Sequence, residues 1–176
     1  LPRGFVDVWD GWMQQVLAAS RTTLGEDWLA AWLEAPVWRF ALSPNLCGPD
    51  AVVGLWMPSV DRVGRHYPLT IAAVLPGGDP SMMMRDGSGF LDAAERAGIA
   101  AVEADLAPEV LAADLSAAFA EAPAAPDAEL SPCPSGGALW WSAGAPRLPP
   151  TTFSCAGLPD TATFAAMLDA SRGVRP

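Results

Sequence analysis

A chain of 176 residues that is 51% apolar holds enough hydrophobic material for one domain with a sizeable core, which excludes global disorder. Ten arginines, no lysine and twenty acids leave a net charge of −10; such a surface repels phosphate backbones and anionic lipid and argues against nucleic-acid and membrane-surface roles. The missing lysine also excludes a P-loop and a Schiff-base mechanism, and no apolar run reaches the roughly 20 residues of a membrane span.

The first element is a helix. Counting from Phe5, apolar residues fall at Val8, Trp9, Trp12, Met13, Val16 and Leu17, one broad face of a 3.6-residue period. Asp7, Asp10, Gln14 and Gln15 take the other face, and the two acids near the start suit the helix dipole. After Gly25, "EDWLAAWLEA" repeats the pattern with Trp28, Leu29, Trp32 and Leu33 until Pro36 stops it.

Three strand-like runs follow, Val37–Leu42, Ala51–Met57 and Tyr67–Leu75, separated by turn formers and therefore read as an antiparallel meander. "GGDPSMMMRDGSG" reads as a long flexible loop, with helices predicted over about 89–103 and 108–121. A Pro/Ala-rich linker spans 122–136. "ALWWSA" and "TTFSC" are two more strands, and "DTATFAAMLDAS" is a closing helix capped near Asp160 or Thr161. Adjacent Trp140 and Trp141 must point to opposite sides of their strand. Helices before, between and after hairpin-linked strands predict a single α/β domain over 1–176, its sheet mixed or antiparallel and covered on both faces.

Candidate chemistry centres on "MPSVDRVGRHYPL", Met57 to Leu69. Ser59, Asp61 and His66 are the letters of a hydrolase triad. A triad needs its members gathered by a scaffold around an oxyanion hole, whereas these lie within eight residues of one turn and no Gly-x-Ser-x-Gly elbow is present. Asp61 is instead read as tying down the turn backbone, with Gly64 supplying conformational freedom. Arg62 and Arg65 have two readings: a fork for a partner's carboxylate, or an internal pair with Asp61 and neighbouring acids. Carboxylate pairs such as Glu26/Asp27 sit at helix ends as solvated faces. Three cysteines, Cys47, Cys133 and Cys155, and the single histidine are too few and scattered for a metal knuckle or a disulfide framework, so no metal or cofactor is expected.

"LPRGFVDVWDGWMQQVL", "APVWRFAL", "CGPDAVVGLWMPSVDRVGRHYPLTIAA" and "GLPDTATFAAML" together resemble TagF, the type VI secretion-associated accessory family. The resemblance spans nearly the whole chain and is densest in residues 1–75. Members usually open with a strand of the type Gly-Lys-Leu-Pro-x-x-Gly-Asp-Phe ahead of the "LPRGF" helix, so a further N-terminal strand before Leu1 is expected, and a fused phosphatase domain is not. His66 stands where an aromatic is more usual. The resemblance implies a three-layer α/β/α sandwich with a mixed, largely antiparallel central sheet. It also implies a cytoplasmic, non-enzymatic regulator that holds type VI secretion off after translation by binding a forkhead-associated scaffold protein. The residues expected to meet that partner are Ser59, Asp61, Arg62, Gly64 and Arg65. Two alternatives stand beside it: a hydrolase using Ser59 or a carboxylate, and a structural subunit of the secretion apparatus.

Overall fold

The computed structural model describes residues 1–77, 88–104, 110–111, 115 and 136–172. Helix α1, Arg3–Leu24, buries Phe5, Trp9, Met13, Val16 and Leu24 along one stripe. At 100° per residue that stripe is narrower than the sequence reading has it: Val8 lies about 100° from its centre and is exposed, while Trp12 and Leu17 flank it half-buried. Because the helix begins at Arg3, its first turn holds no acid; Asp7 instead approaches Arg3 at 3.9 Å on the surface. Gly25, at φ 57° in the left-handed region, ends the helix and donates its N–H to Arg21 O.

A 3₁₀ turn, Gly25–Asp27, leads into α2, Trp28–Glu34. Trp28, Ala31 and Trp32 are buried. The expected apolar quartet splits, because Leu29 and Leu33 are 48% and 60% exposed.

The strands are β1 Trp38–Leu42, β2 Ala51–Val60, β3 His66–Leu75, β4 Ala138–Ser142 and β5 Thr151–Cys155. They form one sheet of order β3-β2-β1-β4-β5, and of the mixed or antiparallel arrangements expected the antiparallel one is present: every pairing among the described strands is antiparallel. The meander of the first three is present. Strand β2 runs three residues past the expected end at Met57, through Pro58. Proline lacks an N–H, but β1 pairs β2 only up to Trp56, so at Pro58 the strand has no ladder on that side; across from it stands Pro68 of the edge strand β3.

Alternation then sorts the core. Trp38, Phe40, Leu42, Val52, Trp56, Ala138 and Trp140 join a cluster with Phe5, Trp9, Met13, Trp28, Trp32, Phe164 and Met167. Ala41, Val53, Leu55, Met57, Ile71 and Leu139 form a second cluster with Phe90, Leu91, Ala94 and Ala101 of α3, Ser88–Ala104. Trp140 and Trp141 fall in different clusters, as adjacency on a strand requires. The closing helix α4, Thr161–Leu168, is capped by Asp160, whose Oδ1 accepts the Thr163 N–H at 2.7 Å; that bond holds the carboxyl below its usual range.

Indole N–H groups stitch the first cluster together. Trp9 donates to Thr70 Oγ1 at 3.1 Å, Trp12 to Pro159 O at 2.7 Å, Trp28 to Ser20 Oγ at 2.9 Å and Trp38 to Met167 O at 3.0 Å. These four indoles thus bury apolar area and still satisfy their polar atoms, whereas the buried Nε1 of Trp56 and of Trp140 has no partner among the described residues. The predicted helix over 108–121 has only Val110, Leu111 and Leu115 described, all helical. The loop methionines and nearly all of the 122–136 linker lie outside the described residues. Among the described residues no helix is long and apolar enough to cross a membrane.

Candidate functional site

Five residues, Asp61–Arg65, join β2 to β3 beyond the last strand pair, Val60 opposite His66. Their bonds are nearly all made by Asp61. Its Oδ1 accepts the N–H of Val63 at 3.0 Å and of Arg65 at 2.8 Å, and its Oδ2 accepts Arg65 Nε at 2.6 Å. The main chain closes the same loop: Asp61 N–H donates to Arg65 O at 3.0 Å, and Gly64 N–H to Asp61 O at 2.9 Å. Gly64, at φ 80°, occupies the left-handed region that a side chain would strain. The Arg65 backbone N–H, followed by its guanidinium and the Val63 N–H, keeps the Asp61 carboxyl below its usual range.

The tip is rigid in its bonding and open to solvent. Val63 is 75% exposed and the Arg65 side chain 81%, with Arg62 exposed between Asp61 and Val63. The internal pairing is present, between Arg65 and Asp61, and most of the Arg65 side chain still faces water.

Ser59 is not on this turn. It lies inside β2, buried, with no hydrogen-bond partner for its Oγ among the described residues, and its carbonyl accepts Trp32 Nε1 at 3.4 Å. Nor do Ser59 and His66 meet. Cross-strand partners share a face, so Ser59 sides with Tyr67, and His66 sides with Val60 on the other face. His66 is occupied by Trp28, whose ring it meets edge-on at 5.3 Å while the Arg21 guanidinium lies 3.8 Å from the same ring. Asp61 is committed to the turn. The three letters of the triad are not brought together.

Two arginine clusters were missing from the sequence reading. Arg39 of β1 reaches α3, where Nε and Nη2 donate to Glu95 Oε2 at 3.0 and 2.7 Å and Nη2 donates to Asp92 Oδ1 at 2.6 Å. Arg147, between β4 and β5, donates to Glu34 Oε2 at 2.6 Å and to Asp169 Oδ2 at 2.9 Å, joining the end of α2 to the end of α4. A lone charge inside the apolar run "VWRFAL" was the available signal for Arg39; Arg147 had none. Cys47 is buried, and desolvation pushes its thiol up to about 11, so it is a poor thiolate.

The family is decided by residues 1–118, which match the TagF N-terminal domain, type VI secretion system-associated. The chain belongs to the TagF family. The match covers α1 through α3 and so includes the whole Asp61–Arg65 turn, while β4, β5 and α4 lie beyond it. This TagF-family chain is also similar to a solved structure, the crystal structure of PA0076 from Pseudomonas aeruginosa PAO1. The two are 32% identical, with a TM-score of 0.80, over 100% of this chain and 89% of that one. Among curated proteins no sequence matches it. A type VI secretion association therefore rests on the family, and the resemblance expected from the sequence holds.

Proposed function

We propose that this TagF-family chain is a non-enzymatic, cytoplasmic accessory protein that represses type VI secretion after translation, by sequestering the forkhead-associated scaffold component of the apparatus. The observation that carries the reading is the Asp61–Arg65 turn. Asp61 fixes its backbone with two N–H bonds and holds Arg65 by a third contact, so the tip presents exposed arginines and Val63 with little conformational entropy left to lose on binding. On a chain of net charge −10 these arginines are a local positive feature suited to a partner's carboxylates. The domain behind the turn is read as a three-layer α/β/α sandwich, supported by apolar clusters of opposite strand parity that each include helical residues.

The test is overproduction in a type VI-competent host, with effector release measured and the scaffold protein captured from cytosol. Repression of release with stoichiometric scaffold capture supports the reading. Unchanged release, or turnover of ester, peptide or phosphoester substrates that vanishes in Ser59→Ala, overturns it.

A further inference from the structure

On the second sheet face α3 packs over β2 and β3. Beside it the described residues leave a cleft of about 420 Å³, lined by Val37, Arg39, Glu95, Trp141, Ser142 and Thr152 among others. The ion-pair cluster that Arg39 and Glu95 bring to it is unbalanced in charge. One guanidinium, that of Arg39, meets two carboxylates, Asp92 and Glu95. Arg39 uses Oε2 of Glu95 and Oδ1 of Asp92, while Oε1 and Oδ2 accept no hydrogen bond among the described residues. Trp141, half-buried, lines the same cleft.

An anion is a poor occupant, because the Arg39 charge is already met twice over and the chain as a whole is strongly negative. A neutral apolar group leaves the spare carboxylate oxygens without a donor. A cation answers both deficits, and an aromatic face in the same cleft adds attraction for one.

We propose that this cleft docks a single basic side chain of a partner protein, an arginine foremost. A planar guanidinium stacks on the Trp141 ring while its fork donates to the free oxygen of Glu95; a lysine ammonium meets the charge but not the stacking. This surface is separate from the hairpin turn and stands whether or not the turn binds the scaffold protein.

The experiment is an NMR titration of the whole chain with N-acetyl-arginine amide. The neutral isostere N-acetyl-citrulline amide and the anionic N-acetyl-aspartate amide serve as comparison probes. The expected result is a saturable shift of the Trp141 indole N–H with the arginine probe and little with the other two. Glu95→Gln should weaken the response about tenfold or more, the factor that loss of one charged hydrogen bond represents. Because Glu95 also anchors Arg39, Asp92→Asn, at the more exposed carboxylate, provides a second arm and should weaken it in the same direction. An equal response to citrulline, a stronger one to aspartate, no saturable response to arginine, or a response indifferent to both substitutions overturns the proposal.

Discussion

Arg65 Nε donates to Asp61 Oδ2 at 2.6 Å across a turn whose backbone the same carboxylate already holds through Oδ1. The arginine is therefore positioned by a residue that need not touch any partner. Asp61→Ala should release both the turn and Arg65, while leaving the core clusters, which contain neither residue, intact. We expect a thermal melt close to that of the parent but impaired repression of effector release on overproduction. The double variant Arg62→Glu/Arg65→Glu should lose repression outright, because reversing interfacial charges costs about 2–5 kcal/mol of binding. Full repression by both variants removes the turn from the interface. A collapsed melting temperature makes it a structural lock instead.

Acid should destabilise the fold in a defined window. Asp61, Asp160 and Asp169 all have carboxyls held below their usual range. For Asp169 burial pushes the other way and is outweighed by hydrogen bonds from Ser171 and by Arg147. A carboxyl depressed in the folded state contributes stability that is present above its unfolded pKa, about 3.9, and is lost as pH falls through the folded value. The melting temperature should thus decline below about pH 4 through these three groups. Asp169→Asn should flatten that decline, at a cost near neutral pH of about 1–3 kcal/mol for loss of a charged bond to Arg147. Thermal melts of both proteins between neutral pH and pH 3 decide it; an unchanged acid slope in the variant excludes Asp169 as a contributor.

What could be read from the sequence depended on how far apart the interacting residues lie. The turn was legible because each of its bonds spans at most four residues, from Asp61 to Arg65. Helix α1 was legible because its stripe repeats for several turns, and one stray position such as Val8 does not change the period. Leu29 and Leu33 are not separable from their neighbours in the sequence, because two adjacent apolar residues leave open which one faces inward; Trp28 and Trp32 take the core, where their rings stack at 5.4 Å. The sequence pattern ends β2 before Pro58, because a missing neighbour on one side cannot be seen locally, whereas the strand runs to Val60. Arg39 finds Asp92 and Glu95 across 53 and 56 residues, and no local pattern encodes that pairing.

Trp12 is half-buried yet central to the aromatic cluster. Its ring lies 4.9 Å from Trp9, 5.7 Å from Trp140 and 5.8 Å from Phe164, and its N–H reaches Pro159 O, just ahead of α4. Trp12→Ala should cost about 3 kcal/mol through the cavity left among those rings. Trp12→Phe keeps a ring but drops the N–H bond, so about 1 kcal/mol is expected. Chemical denaturation of both variants separates the two contributions. Equal losses would mean that the hydrogen bond dominates, and no loss in either would make Trp12 a surface anchor.

Glycine substitutions at two sites should move stability in opposite directions. Gly54 sits in the middle of β2, opposite Phe40 on one neighbour and Ala72 on the other. A Cβ there would collide with Ile71 O, lie 2.7 Å from the Phe40 ring and 2.9 Å from Ala72 Cα. Two of those three atoms are backbone and cannot swing aside, so strands β2 and β3 must shift. Gly54→Ala should therefore destabilise by about 1–3 kcal/mol, the range for overpacking a filled core. Gly11 is exposed within α1 and has nothing within 4 Å of an added Cβ. There the only change is a less flexible unfolded chain and a better helix former, so Gly11→Ala should stabilise by about 0.5–1 kcal/mol. Denaturant unfolding of the two single variants gives both numbers. A Gly54→Ala protein as stable as the parent would show that the β2–β3 ladder yields at little cost; a Gly11→Ala protein that loses stability would show that α1 packs against something at Gly11 besides water.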